Sequence, residues 1–355
     1  MRKILFLVLV TFGVACSIGE KSSKKSSTTM SNSGVELKSS KGKVFGFYNV
    51  ENLFDTIDSK YTIDEQFLPS AEKKWNTKKY FEKLSNLAKV ISALDKDFPV
   101  FLGLSEIENK GVILDLISNT NLNEGGYDVV HFESPDKRGI DLGFMYRTDY
   151  FNVLKKEKIE VAIFDQPDFS TRDILYVKGE LANNDTVHVF LNHWSSRREG
   201  AEKSEYKRVR AATILRQRVD LILEENSNAK IIIMGDFNDY PTNKSVLETL
   251  RAKGKPSFVN GDLFNMAYKL EIEKKGTYNY KGDWGMLDQM IISKGLYSPK
   301  SGMKVQYDKC LILEEEWMMF TDPKYKDKKP SRSYGGPNYY GGYSDHLPIY
   351  SRFQE

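Results

Sequence analysis

No stretch of this chain limits its fold more than Lys230-Ile-Ile-Ile-Met-Gly-Asp-Phe-Asn238, an apolar run that ends abruptly at Gly235, Asp236 and Asn238. A short apolar run bounded by a turn signal is the pattern of a buried central strand, and this one delivers a carboxylate and an amide to the rim of its sheet. Asp and Asn are also favoured turn residues that bond their own backbone, so by itself the stretch is equally a strand followed by a tight turn. The rest of the chain has to separate the two.

The chain opens with Met1, Arg2 and Lys3, then an apolar segment from Ile4 to Ala15, then Cys16. A basic start and an apolar stretch well short of the about 20 residues that span a bilayer form the pattern of a secretory signal over residues 1–16. Gly13-Val14-Ala15-Cys16 resembles the lipobox of bacterial lipoproteins, although Gly13 stands where leucine is usual. The expectation is an extracytoplasmic protein, anchored in a bacterial envelope through an acylated Cys16 or else secreted. Residues 17–43 are Ser, Lys, Thr and Gly with hardly an apolar side chain, the composition of a flexible tether. Cys310 is the only other cysteine, so no internal disulfide framework is available and a small buried hydrophobe is expected there.

Residues 1–43 hold eight of the chain's 52 Lys and Arg and two of its 49 Asp and Glu. Beyond them 44 basic and 47 acidic residues remain, a net −3, so the overall +3 belongs to the signal and tether. Neutralising phosphates supplies most non-specific affinity for nucleic acid, and a domain without a global basic bias is a poor candidate for tight or processive DNA binding. A local basic face stays open.

The remaining segment, residues 44–355, carries no internal repeat and no second linker, which predicts one domain. Val44–Val50 and Val100–Leu104 are strand patterns. Thr77–Leu94 places Phe81, Leu84, Leu87, Ala88 and Ile91 at helical spacing, and a short helix falls near Val112–Ile117. Asp128–Phe132, Leu142–Tyr146, Ile174–Leu181 and Val187–Leu191 follow as strands. A long polar helix carrying Val209, Ala212, Ile214, Leu215, Val219 and Leu223 leads into the Ile231 strand, and Leu287–Ile292 and Leu347–Phe353 end the series. Strands with helices between them, plus hairpin-like neighbours, predict an α/β fold of two mixed sheets packed together and covered by helices.

Polar residues recur in one kind of place. Asn49, Glu106, Asn192 with His193, Asp236 with Asn238, and Asp345 with His346 each fall where an apolar strand begins or ends, consistent with a rigid scaffold carrying function on its loops. Oxygen donors suit a hard divalent cation such as Mg²⁺, which needs only one or two protein carboxylates and keeps several waters. Glu106 is the first-choice ligand, with Asn49, Glu51 and Asp345 near it. The cysteine count excludes a sulfur site, and four histidines scattered along the chain do not show the clustering a zinc site requires.

Phe47-Tyr-Asn49-Val-Glu51-Asn-Leu-Phe54, Leu104-Ser-Glu106, Leu191-Asn-His193-Trp, Gly235-Asp236-Phe-Asn238, Leu287-Asp288-Gln and Tyr343-Ser-Asp345-His346-Leu-Pro resemble, in order, the endonuclease/exonuclease/phosphatase superfamily. Within it, Asn192-His193-Trp194-Ser-Ser-Arg197-Arg198 looks most like the group described as predicted extracellular nucleases. The resemblance implies a four-layer α/β/β/α sandwich over residues 44–355 and phosphoester hydrolysis dependent on Mg²⁺ or Mn²⁺. It makes Asn49 and Glu106 metal-site residues, with Glu51 and Asp345 close to the ion. Asp236 would orient and deprotonate the attacking water, and Asn238 would hold that water or the phosphate. His346 would contact a phosphate oxygen with Asp288 on its other ring nitrogen, an arrangement that fixes the tautomer and favours the charged ring. His193, next to Asn192, would be a second phosphate contact or an acid for the leaving group.

Arg172, Arg197 and Trp194 are the substrate-side candidates, since guanidinium matches phosphate bidentately. Lys203, Lys207, Arg208, Arg210, Arg216 and Arg218 extend the basic run along a helix, either as an exposed face or as a nucleic-acid track. Asp141 is a partner for His193 or a turn residue, Glu108 and Asp239 are expected to be solvated, and His131 and His188 to bond backbone carbonyls. Lys324–Tyr343, rich in Lys, Gly and Tyr, is expected to be a mobile lip whose tyrosines stack on bases, or a disordered surface loop. On the resemblance alone the substrate is a nucleic acid phosphodiester, cut by a monomer. A sphingomyelinase-like or other phospholipid or phosphomonoester hydrolase is the alternative, and a binding protein that lost the chemistry is the rival from another class.

Overall fold

The computed structural model describes residues 29–30, 36–257, 259–324 and 326–354. The secretory signal, Cys16 and most of the expected tether lie outside those residues. The end of the tether belongs to the domain instead: Leu37 is fully buried, and the Lys38 backbone N–H donates to the Asp149 carbonyl at 2.7 Å. No helix among the described residues is long and apolar enough to cross a membrane.

Two seven-stranded mixed sheets form the centre. In the first, Val44–Leu53 lies between the antiparallel Ile349–Gln354 and the parallel Phe101–Ile107, with Asp141–Arg147 and then Tyr127–His131 beyond. In the second, Lys230–Asp236 lies between the antiparallel Asp288–Ile292 and the parallel Thr186–His193, with Ile174–Glu180 and Asn152–Ile159 beyond. Phe45, Phe47, Phe144, Leu191, Ile232 and Met234 pack between the sheets, and Gly103 lets them approach, because a Cβ there would stand 2.5 Å from Leu191. Helices Thr77–Leu94 and Lys110–Ser118 cover the first sheet, and helix Glu205–Glu225 covers the second, each through its own apolar cluster. Burial on both faces explains why the strands read as continuous apolar runs.

Three local expectations change. Phe81 is exposed, and Tyr80 takes the inward place with its hydroxyl donating to Asp115 at 2.9 Å. The edge strand Asn152–Ile159 was hidden by Lys155, Lys156, Glu157 and Lys158, charges that keep an exposed strand edge from pairing with other chains. The expected lip near Tyr343 contains two short hairpins, Met319–Thr321 with Lys328–Pro330 and Tyr334–Gly335 with Asn338–Tyr339. Tyr334 packs on Trp75 and Tyr343 on Trp317, so these rings serve the scaffold.

Strand direction gathers the polar residues. Each sheet's parallel pair ends at one rim, while the flanking antiparallel strands begin there, so ends and beginnings coincide. In register, Asp236 stands beside His193 and Asp288, Asn49 beside Ser105, and Ile107 beside Asp141.

Candidate active site

Asp236 sits at the end of its strand because Gly235 precedes it. A side chain at Gly235 would meet the Asn192 carbonyl oxygen at 2.1 Å, so only glycine permits this close approach of adjacent strands. Asp236 Oδ1 accepts from the Asn238 backbone N–H at 2.9 Å, and Oδ2 accepts from Asn49 Nδ2 at 3.1 Å. His193 Nε2 lies 3.6 Å and His346 Nε2 3.9 Å from the same Oδ2. One carboxylate thus joins the first sheet's rim to the second's. Burial, and then the neighbouring Asp288, push its pKa up to about 6.

The two histidines beside Asp236 are in opposite states. His346 Nδ1–H donates to Asp288 Oδ2 at 2.6 Å, and the Thr277 hydroxyl donates to that oxygen too. Burial disfavours a charged His346, yet Asp288, Asp236 and Asp345 outweigh it and hold the ring's pKa well above the usual range. The Tyr278 ring covers it at 4.8 Å between centroids. His193 goes the other way, because burial and then Arg172 and Arg138 push its pKa well below the usual range.

Several expected site residues are scaffold. Asn192 is fully buried, with its amide directed at the Phe190 and Met234 carbonyls and its oxygen accepting from Trp194 Nε1. Trp194 is 2% exposed and packs edge-on to Phe237, out of reach of substrate. Arg172 spends its guanidinium on the His193 and Trp194 carbonyls and on Asp136, at 2.9 Å for the last, so it braces the His193 strand and has no fork left for phosphate. Arg197 pins the loop after Asp236 through the Asn238 carbonyl and Asp239, with its face on Tyr240. Asn238 Nδ2 is likewise occupied, donating to the Trp194 carbonyl.

The basic run divides: Lys203 is exposed and Lys207 and Arg210 bond at the surface, whereas the arginines deeper along the helix are spent on the scaffold. Arg208 is 1% exposed and pairs with Asp239 at 2.8 Å, Arg216 donates to the Leu250 and Gly261 carbonyls, and Arg218 pairs with Glu157. Asp239 is therefore buried rather than solvated. Asp141 faces His131, not His193, and His188 bonds the Tyr176 hydroxyl. Cys310 is buried as expected, and burial pushes its thiol up to about 12.

Glu108 is buried too, accepting from the Asp55 backbone N–H at 2.6 Å, and burial pushes its carboxyl up to about 8. A pKa raised by folding gives stability that is full below the unfolded value and is lost as pH rises through the folded one. Wild type should therefore lose stability between about pH 4.5 and 8 through this group, on the order of a few kcal/mol. Denaturant unfolding of Glu108→Gln should show the variant gaining on wild type across that window, and parallel curves would refute it.

Sequence reasoning missed the cations. Arg332 Nε donates to Glu51 Oε1 at 3.1 Å and Nη2 to Asp345 Oδ2 at 3.1 Å, bridging two carboxylates expected beside the ion. Lys83, 1% exposed, donates to Ser333 Oγ and the Tyr343 carbonyl and lies 3.9 Å from Glu51 Oε2. Burial pushes Glu51 up and Lys83 down. Neither residue sits in a recognisable motif, so only proximity identifies them.

Glu51 is thus committed to Arg332 and the Ser333 N–H, whereas Glu106 accepts only from Asn52 N–H through Oε2, and its Oε1 has no donor among the described residues. The rim carries five carboxylates, Glu51, Glu106, Asp236, Asp288 and Asp345, against three cations, Lys83, Arg332 and His346. A divalent cation at Glu106 and the Asn49 oxygen would balance that surplus, and this donor set fits a hard ion. Asp236, Asp288 and His346 also bring one ligand atom each within 4.8 Å of one another, but a protonated imidazole offers no lone pair. Glu51, Asn52, Glu106 and Asn238 all hold left-handed backbone, strain that concentrates at functional sites.

The fold is that of a family of phosphoester hydrolases. The chain belongs to the Endonuclease/Exonuclease/phosphatase family, whose model matches residues 44–355. No curated protein matches the chain. Among solved structures, an endonuclease/exonuclease/phosphatase family protein from Bacteroides thetaiotaomicron is similar at 15% identity, TM-score 0.53, covering 88% of this chain and 97% of its own. A mannosyl-6-phosphatase from the same organism matches at 15% identity, TM-score 0.52, over 88% and 100%. D. rerio TDP2 complexed with a single-strand DNA product matches at 16% identity, TM-score 0.51, over 88% and 99%. These likenesses establish a common fold.

Proposed function

We propose that this chain is a divalent-metal-dependent phosphodiester hydrolase, an extracytoplasmic nuclease of the extracellular group, working by direct in-line attack of water. The observation that carries this reading is a single carboxylate, Asp236, placed within 4 Å of a neutral His193 and a charged His346. With its oxygens fixed by Asn238 N–H and Asn49, Asp236 can orient one water and accept its proton as the water oxygen bonds to phosphorus. The His346 imidazolium, locked by Asp288, donates to a non-bridging phosphate oxygen and stabilises the charge that grows there. The P–O bond opposite the water breaks as the new one forms, and the leaving-group oxygen takes up a proton from solvent water. His193 Nε2, 3.6 Å from the same carboxylate oxygen, is placed to accept the proton that Asp236 takes from the water. An ion held by Glu106 and Asn49, Mg²⁺ or Mn²⁺, would polarise the phosphoryl group.

The DNA product in the TDP2 complex supports a nucleic acid substrate, while the mannosyl-6-phosphatase keeps a phosphomonoester in view. The signal-like start of the chain and Cys16 support export and lipid anchoring, with the catalytic domain acting as a monomer. The test is a panel: protein lacking residues 1–28, with Mg²⁺, Mn²⁺ or chelator, on DNA, RNA, sphingomyelin, a sugar phosphate and a chromogenic bis-phosphoester. DNA or RNA cleavage that chelator abolishes is the expected result. Turnover of sphingomyelin or the sugar phosphate alone would replace the nuclease reading, and no turnover of anything would favour a binding protein.

A further inference from the structure

A second cluster of ligand-type side chains lies on the same rim, two strands outward from the central strand of the first sheet. His131 ends its strand, Asp141 begins the neighbouring one, and Glu133 stands in the connection between them. The side chains of His131 and Asp141 are 4% and 1% exposed, and that of Glu133 is open to solvent at 70%. One ligand atom from each of the three lies within 4.8 Å of the other two.

The hydrogen bonding of this cluster is incomplete. Asp141 Oδ1 accepts from the Ser134 backbone N–H at 2.8 Å, which fixes the carboxylate. Its Oδ2 and His131 Nε2, 3.3 Å apart, are both buried without a hydrogen-bond partner, since they are close but not aligned for a bond with each other. Glu133 brings a second carboxylate against Asp141, and burial, then that proximity, raise its pKa. Two facing carboxylates require a shared proton or a cation between them. Two ligands at zinc's bond lengths of about 2.0–2.1 Å and a tetrahedral angle stand about 3.3 Å apart, the separation found between Nε2 and Oδ2.

We propose that His131 Nε2, Asp141 Oδ2 and the Glu133 carboxylate form a binding site for a transition-metal divalent cation of the zinc type, separate from the hard-cation site at Glu106. An imidazole with two carboxylates selects such an ion over Mg²⁺, which prefers all-oxygen shells. The ion clamps the base of the loop over residues 132–140. That loop carries Asp136, whose bond to Arg172 holds the His193 carbonyl. The site therefore stiffens the strand end that presents His193 to Asp236.

The full described domain, stripped with chelator and titrated with Co²⁺, provides the test, because four-coordinate Co²⁺ absorbs visible light far more strongly than Co²⁺ in an all-oxygen octahedron. Wild type should develop an intense band saturating at one equivalent, which Zn²⁺ displaces. His131→Gln and Asp141→Asn should weaken binding by 100-fold or more, while Glu106→Gln leaves the band in place. Zn²⁺ should also raise the thermal midpoint of wild type and not of His131→Gln. A wild type without the intense band, or a band that survives in His131→Gln, overturns the proposal. Should either variant fail to fold, the wild-type stoichiometry and the Glu106→Gln titration still decide it. The readout is metal binding, so it stands apart from any result on nuclease activity.

Discussion

Asp236→Asn should lower kcat for phosphodiester cleavage by about 10³-fold while leaving KM within a few-fold of wild type. Asparagine keeps the shape of the side chain and can still accept from Asn238 N–H through Oδ1, although its amide nitrogen cannot accept the bond from Asn49, so circular dichroism must accompany the kinetics. What asparagine cannot do is take a proton, and loss of a positioned general base costs typically 10²–10⁴-fold. Steady-state kinetics on the substrate found by the panel, with circular dichroism to verify the fold, is the measurement. An Asp236→Asn enzyme that keeps a tenth of wild-type kcat would mean that Asp236 does not activate the water, and the role would pass to another rim group.

Lys83→Met should destabilise the protein by about 3–5 kcal/mol, the range for removing one partner of a buried charge network. Lys83 is 1% exposed and ties helix Thr77–Leu94 to Ser333 and the Tyr343 carbonyl, so methionine leaves those acceptors unpaired and Glu51 with one cation fewer. Glu51→Gln in the same background should cost less than the sum of the two single changes, because the carboxylate's need for Lys83 disappears with its charge. Denaturant unfolding of the four proteins in this cycle checks both statements. A single-variant loss below about 1 kcal/mol would show that Arg332 and the Ser333 N–H suffice for Glu51.

Much of the scaffold was legible because its strands are buried on both faces. The Lys230–Asp236 run, the Thr77–Leu94 helix and the order of strands and helices all came from apolar content and period. The charged edge strand Asn152–Ile159 was not legible, since one side of it faces water and its pattern is set by solubility. The candidate site was half legible. Asp236, His346 and Asp288, singled out in the sequence, do converge in space. Two neighbours of His193 misled: Asn192 and Trp194 flank it in sequence yet point into the scaffold, and Arg172, distant in sequence, braces the same strand end. In a strand, neighbours alternate between faces, so adjacency to a site residue predicts the opposite side of the sheet.

By itself the sequence determined a layered α/β domain from Val44 onward and a rim furnished with oxygen donors and two histidines. Tertiary structure alone decided which of those groups meet. Arg332 reaches Glu51 across 281 positions of chain, Asn49 reaches Asp236 across 187, and His131 closes on Asp141 although the histidines looked scattered. Charge state was decided there as well, since opposite protonation of His193 and His346 comes from burial and neighbouring charges that belong to distant strands. Local pattern fixes what a segment buries, whereas pairing and electrostatics depend on which other segments the sheet brings to the same edge.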